Sequence, residues 1–126
     1  MQIDDTSLTP IFLQVAEWLE EEILKNNIRE EEQVPSTNQF ATLYKINPAT
    51  ARKGFSLLVD EGILYKKRGI GMFVAKGAKA KIQKKRKEHF ISESLHDLLS
   101  EAEKLNITTD EIIEMIYALQ QKKPAK

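Results

Sequence analysis

Apolar residues near the start of the chain recur at the spacing of one face of a helix. This face consists of Ile11, Phe12, Val15, Leu19 and Ile23, and the pattern ends at about Leu24. Thr9 and Pro10 suit the start of the helix, because threonine can cap a helix and proline fits its first position. The opposite face carries four glutamates between positions 17 and 22. We expect this acidic face to meet solvent or a basic partner.

Two more helical patterns follow with almost no chain between them. Ser36 can cap a short helix whose apolar residues begin at Phe40. The next helix begins with Asn47 as its cap and Pro48 in its first turn. Because only residues 45–46 separate these two helices, they are predicted to form a helix-turn-helix.

Two short strand patterns come next. They cover residues 63–66 and 72–75, and Gly69 and Gly71 lie in the turn between them. Gly62 suits a left-handed stop at the end of the preceding helix. Three helices and a two-stranded hairpin predict a winged helix-turn-helix, so the expected fold class is mainly α with a small β-wing.

The rest of the chain predicts a helical hairpin. A long helical pattern runs from about Ala78 to Asn106, and the sequence ITTDEI after Asn106 is typical of a capping box that opens a last helix. Such a hairpin cannot cover its own apolar stripe, so its expected cover is a second copy of the protein. The residues predicted to form this dimer contact are Phe90, Ile91, Leu95, Leu98, Leu99, Ile112, Ile113, Ile116 and Leu119. We therefore divide the chain into a winged domain, residues 1–76, and a helical dimerisation extension, residues 77–126.

Length and composition narrow the class of protein. The 126 residues suffice for one compact domain with an appendage, and 41% of them are hydrophobic and 30% charged. No apolar run approaches the roughly 20 residues that a membrane helix needs. The N-terminal stretch MQIDDTSLTP is acidic, unlike a signal peptide, and the chain has no cysteine. These features predict a cytoplasmic protein without thiol chemistry.

The net charge is zero, but the charges are unevenly distributed. Residues 1–44 hold two cations and nine acidic residues, residues 45–89 hold thirteen and three, and residues 90–126 hold four and seven. The middle segment would offer a polyanion a basic binding surface. The alternative is that its lysines only form solvent-exposed faces of helices. Two roles stay open for the basic run 76–87. It extends a phosphate footprint beside the wing, or it meets the acidic first helix of a partner subunit.

The stretch INPATARKGF, residues 46–55, has the residue types that a helix needs to enter a DNA groove. The small residues Ala-Thr-Ala at 49–51 let the backbone approach, and the threonine can hydrogen-bond a base or a phosphate. Arg52 can make a bidentate contact with guanine, whereas Lys53 is better suited to phosphate. The alternative treats the alanines as ordinary helix formers. For Gly54 we favour close packing against the first helix over a role in binding.

Two neighbouring elements carry further candidates for DNA contacts. Ser36 and Asn38 stand at the start of the helix that crosses the DNA backbone in a helix-turn-helix, although capping alone explains Ser36 equally well. Lys67 and Arg68 belong to three consecutive cations at the tip of the wing. Gly69 lets the backbone approach a phosphate or the minor groove there. Hairpin geometry alone would explain the glycine but not the cations.

Signatures of an enzyme are weak. His89 and His96 lie seven residues apart, but no partner stands at a metal-ligand spacing, so we interpret them as surface histidines. The RGIG sequence of the wing is too short for a dinucleotide fingerprint and precedes a strand rather than a helix. We expect no catalytic residue, no metal site and no cofactor.

These segments resemble the GntR family of bacterial transcription regulators, and in particular its YtrA-like branch. The matching segments are PIFLQVAEWLEEEIL at 10–24, VPSTNQFATLY at 34–44, INPATARKGFSLLVDEGIL at 46–64 and YKKRGIGMFV at 65–74. The resemblance implies DNA contacts at Ser36, Asn38, Asn47, Ala49, Thr50, Arg52, Arg68 and Gly69. It also implies a small dimerisation hairpin at the C-terminus and regulated genes that often encode ABC-type transporters.

Departures from the family pattern change the weight of single residues. PSTN at 35–38 replaces the common PSER, so one arginine contact is absent and Asn38 contributes less. Pro48 stands where many relatives have arginine, which makes Arg52 the strongest candidate for reading a base. Larger relatives bind effectors in a C-terminal domain that has no counterpart here, so no ligand residues are carried over.

The combined expectation is a cytoplasmic, homodimeric transcription regulator, a repressor rather than an enzyme, that binds a two-fold symmetric operator in double-stranded DNA. One alternative is a winged-helix protein-interaction module without DNA binding. A second is a metabolite sensor with a pocket at the dimer interface, whose effector the sequence does not identify.

Overall fold

The computed structural model describes residues 3–122, which form six α-helices, one π-helical segment and a two-stranded antiparallel sheet. The elements are α1 (Ile11–Leu24), α2 (Thr37–Tyr44), α3 (Pro48–Asp60), β1 (Leu64–Lys67), β2 (Gly71–Val74), α4 (Ala78–His89), the π segment (Phe90–Leu95), α5 (His96–Lys104) and α6 (Thr109–Lys122). They group into two compact units that divide after Lys85. The predicted fold class, mainly α with a small β-wing, is confirmed.

Helices α1, α2 and α3 surround the core of the first unit. Leu19, Phe40 and Phe55 are among its fully buried side chains. Gly54 lets α1 and α3 pack closely, because a Cβ atom at this position would lie only 2.6 Å from the Phe12 carbonyl oxygen. The interpretation of this glycine as a close-packing residue is therefore confirmed.

The starts of α2 and α3 follow the capping residues of the sequence. The Ser36 hydroxyl accepts a hydrogen bond from the Gln39 amide at 3.0 Å, and the Asn47 side chain accepts one from the Ala49 amide at 2.8 Å. Between the two helices, Lys45 adopts a left-handed conformation with a φ of 55°. This residue ends α2 and turns the chain into α3 within the short connection that was predicted.

The start of α1 differs from the prediction. The helix begins at Ile11, and Pro10 occupies the N-cap position without a side-chain cap. The segment before it is held instead by Gln14, whose amide group donates to the Thr9 carbonyl at 2.9 Å and to the Asp4 carbonyl at 2.7 Å. Gln14 therefore fastens the preceding segment to the helix, whereas the predicted threonine cap is not formed.

The connector between α1 and α2 hydrogen-bonds to the outer edge of β2, a contact that the sequence pattern does not reveal. β1 and β2 pair along their full length. Compared with the predicted ranges, β1 lies one residue later and β2 one residue earlier in the chain, so the turn between them is shorter. On the other side of β2, the Val34 amide donates to the Met72 carbonyl and the Val74 amide to the Glu32 carbonyl, both at 2.9 Å. The polar connector between α1 and α2 therefore borders the sheet.

The start of α4 belongs to the core of the first unit. Ala78 and Ile82 lie one helical turn apart and are both fully buried. This packing explains why the first compact unit extends to Lys85, whereas the sequence placed the domain boundary after residue 76.

The second unit contains the π segment, α5 and α6. The long helix predicted up to Asn106 is interrupted by the π segment and ends at Lys104. Thr108 and Glu111 form the predicted capping box, with reciprocal bonds of 3.1 and 3.0 Å between each amide and the other side chain. Hydrogen bonds to the Glu111 carboxyl from the Thr108 amide and, secondarily, from its side chain lower the pKa of that carboxyl. None of the helices in the described range is long and apolar enough to cross a membrane.

Candidate nucleic-acid interface

The first two turns of α3 present the predicted DNA-reading residues outward, with one exception. The outward residues are Asn47, Ala49 and Arg52, with Thr50 half-buried beside them. Ala51 is fully buried, so the prediction that it lets the backbone approach DNA is wrong. The helical repeat explains its position, because residues four apart share a face and Phe55 is a core residue.

The two cations that follow have different surroundings. Among residues 3–122, no side chain forms a hydrogen bond or an ion pair with the exposed Arg52 guanidinium. Lys53, in contrast, places its Nζ atom 4.0 Å from the centre of the Phe12 ring in a cation–π contact with α1. Arg52 is therefore free to meet a base edge, whereas Lys53 already has a partner in the folded chain.

A cavity of about 410 Å³ opens beside the start of α3. Asp5, Lys45, Asn47 and Thr50 contribute its polar wall. The sequence did not single out Asp5, because nothing in an acidic N-terminal segment indicates that it returns to this helix. The segment before α1 therefore places a carboxylate in the same wall as the Lys45 ammonium.

The start of α2 combines a structural role with exposure. The Ser36 hydroxyl is an acceptor in the capping box, and the Ser36 amide donates in return to the Gln39 side chain at 3.0 Å. Both Ser36 and Asn38 are exposed. A capping hydroxyl that accepts a hydrogen bond can still donate its own proton, so Ser36 can cap α2 and contact a phosphate at the same time.

Two substitutions at Ser36 separate these roles. We expect Ser36→Ala to lower the free energy of unfolding by about 1 kcal/mol, because the cap is lost. Ser36→Asp keeps a good cap and suits the helix dipole, but it repels phosphate. It should therefore unfold like the parent and bind DNA more weakly than Ser36→Ala. Urea unfolding followed by fluorescence of Trp18, which lies 5.2 Å from the Phe40 ring, measures stability, and anisotropy of labelled DNA measures binding. Parent-like DNA binding by Ser36→Asp would remove Ser36 from the contact set.

A side chain from the α1–α2 connector holds the turn at the tip of the wing. Gly69 has a φ of 78° and open space where its Cβ would be, and it lies exposed beside Arg68. The Gln33 side chain donates to the Ile70 carbonyl at 3.0 Å, and a Cβ at Gly71 would collide with it. Gln33 therefore braces the turn that carries the exposed cation, a role that the sequence did not indicate.

The half-buried aromatic residues of the wing contact one of its cations. Lys67 places its Nζ atom 4.4 Å from the centre of the Phe73 ring. The Tyr65 hydroxyl donates to the Glu31 carboxylate at 2.6 Å, and this bond raises the pKa of the phenol. Lys67 thus lies along the sheet, and Arg68 is the cation nearest the turn.

Several lysines of the basic run contact their own chain. Lys79 donates to the Asn26 side chain and Lys81 to the Gly62 carbonyl, each at 3.1 Å. Lys85 forms ion pairs with Glu20 and Glu61. The acidic helix α1 therefore receives a lysine from the same subunit, an arrangement that neither sequence-based role for the run had included.

Three helices with a tight helix-turn-helix, followed by a two-stranded wing, define a winged helix-turn-helix of the DNA-binding class. The family model of bacterial regulatory proteins of the gntR family matches residues 12–74. The chain is 31% identical to the HTH-type transcriptional repressor YtrA of Bacillus subtilis, over 92% of this chain and 88% of that protein. The chain belongs to the GntR family and is a transcription regulator of that type.

Solved structures show the same relationship. The crystal structure of a GntR-family transcriptional regulator from Bacteroides thetaiotaomicron superposes with a TM-score of 0.79 at 34% identity, covering 90% of this chain and 99% of that one. The DNA-binding domain of AraR in complex with operator ORE1 superposes with a TM-score of 0.52 at 29% identity, covering 57% of this chain and 88% of that one. A domain similar to the winged part of this chain therefore binds operator DNA in AraR.

Proposed function

We propose that the protein is a homodimeric repressor that binds a two-fold symmetric operator in double-stranded DNA. The observation that carries this proposal is the start of α3, where a capped helix end presents small residues and an exposed arginine. An α-helix of this kind fits the major groove, and a guanidinium there can bind guanine bidentately. Repression is proposed because YtrA, the relative described above, is a repressor.

Each element supplies a different class of DNA contact. Thr50 and Arg52 read base edges, and Asn47 and Ala49 let the leading turn of α3 approach them. Around this centre lie the proposed phosphate contacts, which are Ser36, Asn38, Lys53 and Lys67. Arg68 and Gly69 enter the minor groove or meet its phosphates. Lys53 and Lys67 must leave their aromatic partners, or share them, to do so.

The exposed apolar side chains of the second unit support the proposal of a dimer. Ala102 is its one buried apolar residue within the described range, and Ile112 is half-buried. Large apolar side chains are exposed on the π segment, α5 and α6, namely Phe90, Ile91, Leu95, Leu98, Leu99, Ile113, Met115, Ile116, Tyr117 and Leu119. An exposed apolar surface of this extent marks an interface. A two-fold partner covers it with the same residues, because a symmetric interface is self-complementary.

A homodimer of this kind fixes the form of its DNA site. Each subunit places one α3 in the major groove, so the two half-sites lie about one helical turn, or a multiple of it, apart. A regulator of bacterial DNA works in the cytoplasm, and no step of this binding involves catalysis.

The proposal is tested by fluorescence anisotropy of the protein with the DNA upstream of its own operon and with a scrambled control at two salt concentrations. A preference on the order of a thousandfold for the upstream DNA is expected of a specific regulator. Equal and steeply salt-dependent binding to both DNAs would contradict sequence recognition at this site. If neither DNA binds, the protein-interaction module becomes the better reading, and thermal shifts with a small-molecule panel test the metabolite sensor.

A further inference from the structure

The tip of the wing is a β-turn whose two middle residues are Arg68 and Gly69. The Ile70 amide donates to the Lys67 carbonyl at 2.9 Å, which closes this turn. Both middle residues are exposed, and among residues 3–122 the Arg68 side chain forms no hydrogen bond or ion pair. The space that the Arg68 guanidinium can reach therefore depends on how the turn itself is held.

The two strands of the wing hold this turn weakly by themselves. An isolated two-stranded hairpin is marginally stable in water, and the ladder of the wing ends at the pair of Lys67 and Gly71. The α1–α2 connector adds backbone hydrogen bonds to β2, and the one nearest the turn joins the Val34 amide to the Met72 carbonyl. In the described part of the chain, the connector reaches further toward the turn through one side chain, that of Gln33.

Gln33 is fixed at both ends of its side chain. Its backbone lies between Glu32 and Val34, which both form backbone hydrogen bonds with β2. Its Nε2 atom donates to the Ile70 carbonyl at 3.0 Å, and a Cβ at Gly71 would lie only 2.5 Å from the same nitrogen. A larger residue at position 71 would have to displace the Gln33 amide group. Gln33 therefore limits the positions that the turn can take.

We infer that Gln33 is a positioning residue that places Arg68 for its contact with DNA. The inference rests on the proposed function, in which Arg68 and Gly69 enter the minor groove or meet its phosphates. Binding costs less when the binding group is already ordered, because less conformational freedom is lost. A glutamine that only stabilised the fold would affect DNA binding whether or not Arg68 is present, so the coupling between the two residues distinguishes the two roles.

The test is a double-mutant cycle in the full-length protein, with anisotropy to measure the Kd for the operator. We expect Gln33→Ala to weaken binding by about three- to tenfold in the parent, and by less than about twofold in Arg68→Ala, because its effect passes through the arginine. In Arg52→Ala the full effect of Gln33→Ala should remain, since α3 makes a separate contact. Gln83→Ala is the matched control, because Gln83 is exposed and forms no hydrogen bond among residues 3–122. It should bind as the parent does.

Hydrogen exchange of the Ile70 amide in the free protein measures the hold on the turn without DNA. This amide closes the turn, so Gln33→Ala should speed its exchange by about threefold or more, whereas Gln83→Ala should leave it unchanged. Gln33→Met, which has a similar length and no donor, serves if Gln33→Ala does not fold.

Three outcomes overturn the inference. Parental exchange of the Ile70 amide in Gln33→Ala means that Gln33 does not hold the turn. Parental operator binding by Gln33→Ala means that the hold has no part in recognition. An equal loss with and without Arg68 makes Gln33 a separate DNA contact or a residue of general stability. If the parent itself shows no operator preference, the proposed function has failed, and the DNA role of Gln33 falls with it even where the exchange rate changes as expected.

Discussion

Leu99→Asp is expected to turn the dimer into a monomer and to abolish tight binding to the operator. Leu99 lies on α5 and is 47% exposed in the single chain. Fully burying a leucine side chain contributes about 1.5–3 kcal/mol, and about half of Leu99 is left for the partner to bury. Two-fold symmetry makes each substitution count twice, so the loss is about 1.5–3 kcal/mol and raises the dimer Kd roughly 10- to 150-fold, before any cost of burying the new carboxylate.

The effect on DNA follows from the loss of linkage between half-sites. Two joined binding modules gain on the order of 10²–10⁴ in affinity without new contacts, so a monomer loses that gain on the full operator. Binding to a single half-site should be unchanged, because Leu99 lies in the second compact unit and the proposed DNA contacts lie in the first.

Ser100→Asp is the matched control for this prediction. It places the same carboxylate at the next position of α5, where the parent already has an exposed polar residue. Sedimentation velocity at micromolar protein should find Leu99→Asp monomeric and Ser100→Asp dimeric. If both variants stay dimeric, the apolar residues of the second unit do not form the interface. If both become monomers, a carboxylate on α5 is disruptive in itself and the apolar face is not the cause.

The starts of α2 and α6 were predictable because capping is local. Ser36 and Gln39, like Thr108 and Glu111, stand three residues apart, and each pair satisfies two backbone amides without help from the rest of the fold. The same holds for Gly62, whose φ of 74° ends the region of α3 as predicted. These signals depend only on neighbouring residues, so one sequence suffices to read them.

The contact between the α1–α2 connector and β2 could not be predicted from neighbouring residues. Its hydrogen bonds join backbone groups of residues 31–34 to β2, and a backbone amide pairs in the same way whatever its side chain. The bond from Gln33 to the Ile70 carbonyl spans 37 positions and carries no periodic signal. The residue that braces the wing was therefore invisible before the fold was known.

Two features were present in the sequence and were given the wrong weight. Ala51 stands four residues before Phe55, a spacing that puts both on the core side of α3. Lys85 follows Ala78 and Ile82 at helical spacing, so one face of the basic run turns inward. Small size suggested DNA for Ala51, and charge suggested DNA or a partner subunit for Lys85, whereas the helical phase decided which side of the helix each residue occupies.

Arg52→Ala is expected to weaken binding to the operator by about 1–3 kcal/mol per half-site, which is roughly 5- to 150-fold. The guanidinium is exposed and has no partner among residues 3–122, so its removal should leave the unfolding free energy within about 0.5 kcal/mol of the parent. The variant should lose sequence discrimination at one base pair of each half-site. Operators substituted there should bind parent and variant almost equally, whereas other substitutions should retain their full cost.

Arg52→Lys and Lys67→Ala make this prediction specific. Lysine keeps the charge but cannot form the bidentate pair, so Arg52→Lys should lose most of the base discrimination and keep the salt dependence. Lys67→Ala should weaken all DNA alike and flatten the salt dependence, because it removes a phosphate contact. Anisotropy titrations over a panel of single-base operator variants at several salt concentrations separate the two patterns. Parental operator binding by Arg52→Ala would mean that the start of α3 does not read the bases, and the proposed recognition mode would then be wrong.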